Sequence, residues 1–175
     1  MPMHRYWDAN VFLEYFNKDS EEWKKDLCES VLRHAEMGRL YIVTSYITYV
    51  EVIRMKGEPR IPREQERKIR KFFEQEYIIP RILDRQIAEL ARQLIWDHNL
   101  DPKDAIHAAP ALKLKIRYLD TFDNDLIKVN GRIGNPPITI ALPPEMPSQG
   151  VFEFDEGENS ETETDTGSSE EESVQ

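Results

Sequence analysis

The stretch RYWDANVFLEYF, residues 5–16, changes structural period around one acid. Arg5, Tyr6 and Trp7 read as a short strand that runs into Asp8. Immediately afterwards Val11, Phe12, Tyr15 and Phe16 share one face at 3.6-residue spacing, which predicts an amphipathic helix. A strand that turns into a helix with no intervening loop is the opening of an α/β chain. It places a carboxylate at the carboxyl end of a strand and at the start of a helix at once.

The same alternation continues outward. Asp19 with Glu22 has the spacing of a capping box for a second helix ending near Met37 and Gly38. Leu40–Val43 is a short, continuously apolar strand, as expected of one covered on both faces. Ser45 can cap the next helix, which carries Ile47, Val50 and Glu51 and runs to about Met55. Pro62 suits the first turn of a basic helix reaching about Gln75. Tyr77–Pro80 reads as a connector. Asp84 caps a helix through Ile87, Leu90, Ala91, Leu94 and Ile95, and Asp101 with Pro102 opens another that has Asp104 in its first turn. Ile116–Leu119 and Ile138–Ala141 are further strands. Short strands alternating with helices predict a parallel sheet with helices on its faces. In such sheets ligands gather beyond the carboxyl ends of the strands.

Charge divides the chain. Residues 148–175 hold 10 Asp/Glu and no Lys or Arg, leaving 23 acids against 23 Lys/Arg in residues 1–147. The overall net charge of −10 therefore describes the tail, and it excludes no nucleic-acid function for the neutral body. The expected organisation is one folded domain over 1–147 and a low-complexity tail over 148–175. The tail has too little apolar surface to offset ordering entropy and is expected to be disordered. Between Arg54 and Lys71 eight basic residues face three acids. This is either a solvated helix or a docking face for phosphates, with Arg54, Lys56, Arg60, Arg63 and Arg67 as candidate RNA contacts. The acidic tail is either a solubilising extension or a competitor for that basic face. Cys28 is the only cysteine, so no intrachain disulfide can form, and its apolar neighbours predict a buried thiol. The opening MPMHRYWD has no apolar signal core and no run reaches membrane-spanning length, so a soluble, cytoplasmic protein is expected.

Four acids stand where strands end or helices begin: Asp8, Glu51, Asp104 and Asp123. Carboxylates brought together repel one another and need a cation. Oxygen ligands without Cys, and with little His nearby, select Mg²⁺ or Mn²⁺ over Zn²⁺. Such a site fits metal-assisted phosphodiester hydrolysis with no nucleophilic side chain. Taken singly, Asp8, Asp104 and Asp123 could each be a helix cap or a turn residue, and Glu51 an exposed helix residue pairing with Arg54 or Lys56.

The surroundings of the acids resemble the PIN domain, the nuclease fold of VapC-type toxins, over roughly residues 4–142. Asp8-Ala9-Asn10 is similar to the family's opening Asp-x-Asn/Ser/Thr. Ser45 to Glu51 is similar to its Ser/Thr-led helix with an acid. Asp104-Ala105-Ile106-His107-Ala108-Ala109 reproduces Asp-Ala-x-His-x-Ala, and Thr121-Phe122-Asp123-Asn124-Asp125-Leu126 reproduces Thr-x-Asp-x-Asp-Phe/Leu. The resemblance implies a three-layer α/β/α sandwich with a central, mostly parallel sheet of four to five strands. It also implies a Mg²⁺- or Mn²⁺-dependent endoribonuclease. Asp8, Glu51, Asp104 and Asp123 would be the catalytic metal-binding set, with Asp125 as a further ligand through water. Asn10 and Thr121 would orient the carboxylates, and His107 would be a structural residue beneath the site. The partners implied are RNA, a cognate antitoxin and a second copy in a homodimer.

Two features depart from that pattern. Pro110 removes the hydrogen bond to the Ile106 carbonyl and is expected to kink its helix, an effect of about 3 kcal/mol if uncompensated. Asp120 adds an acid just before Thr121, predicted to point to the opposite side of the strand end. Two other functions compete. A phosphatase using Asp8 as nucleophile would need a second Asp where the chain has Asn10. A catalytically inactive PIN-like module binding RNA or protein would have no use for four mutually repelling acids.

Overall fold

The computed structural model of the protein describes residues 2–53 and 61–147; Arg54, Lys56, Arg60 and the acidic segment 148–175 lie outside the described residues. Along the described chain the elements are β1 (Met3–Trp7), α1 (Ala9–Phe16), α2 (Glu22–Glu36), β2 (Leu40–Ser45), α3 (Tyr46–Glu51), α4 (Arg63–Phe73) and β3 (Ile78–Arg81). They continue as α5 (Arg85–His98), α6 (Pro102–Lys113), β4 (Tyr118–Asp120), α7 (Asn124–Ile127) and β5 (Thr139–Ala141). The strands form one sheet in the order β3-β2-β1-β4-β5, and every neighbouring pair is parallel.

Successive strand residues face opposite sides, so the apolar runs fill two cores. On one side Tyr6, Val43, Leu119 and Ile140 pack with Ala91 and Leu94 of α5 and Ala105 and Ala108 of α6. On the other, Trp7, Leu40, Ile42 and Ile78 pack with Phe12 of α1, Cys28 and Val31 of α2, and Ile69 and Phe73 of α4. The result is the expected three-layer α/β/α sandwich, with five strands. Cys28 is fully buried, and burial pushes its thiol up to about 12, a structural position.

The topology positions the site. From β1 the chain moves to β2 on one side; after β3 it crosses back to β4 on the other side of β1. This reversal of strand order between β1 and β4 is a topological switch point, where α/β sheets hold ligands at their carboxyl edge. Asp8 leaves β1 and Asp123 follows β4 at this switch point.

Local chemistry explains the helix starts. Ser45 caps α3 by accepting from the Ile47 N–H at 3.3 Å, and Asp84 caps α5 by accepting from the Ile87 N–H at 2.8 Å. Asp101 caps α6, with Pro102 as its first residue. Four expectations need correction. Tyr77–Pro80 is no connector, because Ile78–Arg81 forms β3; as an edge strand paired only with β2, it tolerates the missing N–H of Pro80. Asp19 does not cap α2, because its own N–H is engaged by Asn17 Oδ1 at 3.0 Å and the helix starts after Glu21. Helix α3 ends at Glu51 rather than near Met55. Helix α6 continues through Pro110 to Lys113, with Pro110 itself buried, so apolar burial offsets the lost hydrogen bond.

Candidate active site

Asp8 sits between β1 and α1 and is only 3% exposed. One oxygen caps α1, accepting from the Val11 N–H at 3.2 Å; the other accepts from the Thr121 hydroxyl at 2.6 Å. The Thr121 oxygen in turn accepts from the Asp123 N–H at 2.9 Å. One hydroxyl thus ties the end of β1 to the loop after β4. Burial pushes Asp8 up to about 6 and the Asp123 charge adds to this; His107, Thr121 and Val11 oppose it.

Asp104, half-buried in the first turn of α6, is also pushed up to about 6. Burial is the main cause, followed by the charges of Asp123, Asp101 and Asp8. Asp104 thus lies within reach of the charges of Asp123 and Asp8, and Asp8 within reach of that of Asp123. Asp123 caps α7, accepting from the Asp125 N–H at 2.8 Å, and Asn10 Nδ2 reaches its other oxygen at 3.5 Å.

Glu51, the last residue of α3, is held differently. Its Oε2 lies 2.7 Å from His107 Nε2, and its Oε1 lies 3.3 Å from Lys103 Nζ. The other ring nitrogen of His107 lies 3.3 Å from the Tyr6 hydroxyl. Burial acts to raise Glu51, but the hydrogen bond and charge of His107, joined by Lys103, hold it below the usual carboxylate value. His107 is buried beneath the acids, between Tyr6 and Glu51. The sequence gives no hint of Lys103 or Tyr6 as partners of this set, because their contacts are made only by folding.

The remaining candidates separate from the acids. Asp125 is exposed and pairs with Lys128 at 2.5 Å. Asp120 is fully buried, bound by Arg5 at 2.5 and 2.8 Å and by the Trp7 indole N–H at 2.9 Å. It belongs to the opposite side of the strand end, as expected. Arg63 and Arg67 are exposed on α4, where Lys68 pairs with Glu64 and Arg70 with Glu66.

Asp8, Asp104 and Asp123 offer only oxygen donors, and the two hydrogen bonds to Asp8 come from neutral groups; this donor set suits a hard divalent cation. Among the described residues no three His, Cys, Asp or Glu side chains already stand in a coordinating arrangement, and Glu51 is engaged by His107 and Lys103.

The family model for the PIN domain matches residues 5–132, from β1 to beyond α7. The chain belongs to the PIN domain family. No curated protein matches its sequence. Among solved structures, a chain of a toxin–antitoxin complex from Klebsiella pneumoniae is similar, with a TM-score of 0.57 and 21% identity over 81% of this chain and 99% of that chain. At that identity the likeness is one of PIN fold. Among the described residues of this PIN domain no helix is long and apolar enough to cross a membrane.

Proposed function

We propose that this PIN domain is a metal-dependent endoribonuclease, hydrolysing RNA phosphodiesters with Mg²⁺ or Mn²⁺. The observation that supports the reading is the meeting of acids from separate elements at the carboxyl edge of the sheet: the Thr121 hydroxyl links Asp8 to the Asp123 backbone, and Asp104 lies near enough to both for their charges to raise its carboxyl. Carboxylates drawn together, one of them buried, are costly unless a cation joins them. When bound, that cation polarises the phosphoryl oxygen and makes water a competent nucleophile at neutral pH. The protein's part is to hold the donors. Thr121 fixes Asp8 against the Asp123 backbone, and Asn10 reaches Asp123. His107, braced by Tyr6, fixes the position of Glu51, which would join Asp8, Asp104 and Asp123 in holding the cation. Asp125 acts through water from the rim. Arg63 and Arg67, exposed on α4, supply phosphate contacts, and the basic positions Arg54, Lys56 and Arg60 of the sequence are proposed to add to them.

On this reading residues 1–147 are the nuclease domain and 148–175 an acidic extension. The likeness to a chain from a toxin–antitoxin complex supports a toxin role with a protein antitoxin as partner; a homodimeric state and action in the cytoplasm are part of the same proposal. The test is cleavage of single-stranded RNA by the parent, Asp8→Asn and Asp104→Asn, with Mg²⁺, Mn²⁺ or EDTA. The parent is expected to cleave only with metal, and each substitution to slow cleavage at least about a hundredfold, the scale of several kcal/mol of lost charge stabilisation. Equal cleavage under all conditions sinks the reading.

A further inference from the structure

One peptide before Asp123 begins an aromatic pair that the hydrolytic chemistry does not use. Trp23, in the first turn of α2, is 47% exposed. Its ring meets that of Phe122 nearly perpendicularly, at 76° with centroids 6.0 Å apart. Phe122 is the residue between Thr121 and Asp123, so this pair begins one peptide from a site carboxylate. Lys24 Nζ lies 5.6 Å from the Trp23 ring and 5.8 Å from the Phe122 ring. Glu14 and Glu21, each 3.2 Å from that ammonium, fix it and offset its charge. What the patch presents is therefore ring surface rather than net positive charge.

We propose that Trp23, backed by Phe122, is a stacking platform for an unpaired base of the strand whose phosphate is held at Asp8, Asp104 and Asp123. Every base has a π-face, so an aromatic platform grips a single strand without reading its sequence, while a duplex keeps its bases stacked on one another. Trp96 supplies the contrast. It is 89% exposed on α5 among Glu89, Arg92, Gln93 and Asp97, and none of the acids lines that surface. The platform rests on the nuclease reading for the position of the phosphate, and its test reads binding rather than cleavage.

Affinity for a labelled single-stranded oligoribonucleotide is measured in the full chain carrying Asp8→Asn, with Mg²⁺ present. Adding Trp23→Ala is expected to weaken binding about tenfold, within the range for loss of one stacked base. Trp23→Tyr is expected to retain most of the affinity, Trp96→Ala all of it, and an abasic strand with the same phosphates is expected to show no dependence on Trp23. If Trp23→Ala stays within about twofold while the strand still binds, the platform is overturned, and cleavage by the parent keeps the nuclease reading intact. Binding that depends on Trp23 in a protein that never cleaves supports the platform and removes the nuclease. Absence of any single-strand binding in this variant and in the parent, together with no cleavage by the parent, removes both.

Discussion

Asp8 and Asp120 are the same residue type, both almost wholly buried, at the ends of neighbouring parallel strands; the Asp8 N–H even reaches the Asp120 carbonyl at 3.3 Å. Their side chains face opposite layers and meet opposite chemistry. Asp120 receives a guanidinium through two hydrogen bonds and an indole N–H. Asp8 receives only a hydroxyl and a backbone N–H, both neutral. One acid has its counter-charge built into the chain. The other is hydrogen-bonded only by neutral groups, with no cation in direct contact and His107 acting on it from farther off. A buried carboxylate with no cation bonded to it is thus the sharper sign of a site than a buried carboxylate as such.

Breaking the internal pair gives the largest effect. Arg5→Met leaves Asp120 buried without its cation and removes the guanidinium stacked 4.7 Å over Tyr118, and is expected to cost about 3–5 kcal/mol in denaturant unfolding. The double variant Arg5→Met/Asp120→Leu should recover much of that loss, since an apolar pair of similar volume has no desolvation cost. A double variant as unstable as the single one would mean that packing, not charge, explains Asp120.

The opposite sign is expected at Asp8. Its folded value of about 6 exceeds the ordinary 3.8, so between those values the folded chain binds more protons than the unfolded chain. The resulting stability is full below the unfolded value and is lost as pH rises through about 6. At neutral pH the ionised Asp8 then costs at most about 3 kcal/mol. Asp8→Asn is expected to raise stability at pH 7.5 in EDTA by about 1–2 kcal/mol and to give no gain near pH 4. Mg²⁺ should raise the melting temperature of the parent at pH 7.5 and have a much smaller effect on the variant. A destabilised Asp8→Asn at pH 7.5 would show that its hydrogen bonds outweigh its charge.

The difference between the two acids marks how far the sequence could be read. Both were visible as acids at a strand end, and the strand-to-helix turn at Asp8 was enough to orient the sheet. The caps at Ser45, Asp84 and Asp101 were also legible, because a cap is written within three residues. Strand β3 was hidden because Pro80 argues against a strand until the chain is known to place it at an edge. The Asp19–Glu22 pattern misled because Asn17 competes locally for the Asp19 N–H. Arg5 as the partner of Asp120, 115 positions away, could not be read, nor could Lys103 as the partner of Glu51, because no local pattern encodes a contact that only the sheet and its two helix layers create.

Glu51 lies between the two extremes, and that gives the smallest expected effect. It has cationic company, but half of that company is Lys103, whose side chain is 59% exposed. An ion pair open to solvent on one side contributes little, so Lys103→Ala should change stability by less than about 1 kcal/mol. It should nevertheless raise the Glu51 carboxyl titration, read by NMR, because the Lys103 charge and hydrogen bond help hold it low. If the Glu51 titration does not move, His107 alone compensates it. Glu51 then belongs with Asp120 as an acid satisfied from within, and the externally supplied charge is needed by Asp8, Asp104 and Asp123 only.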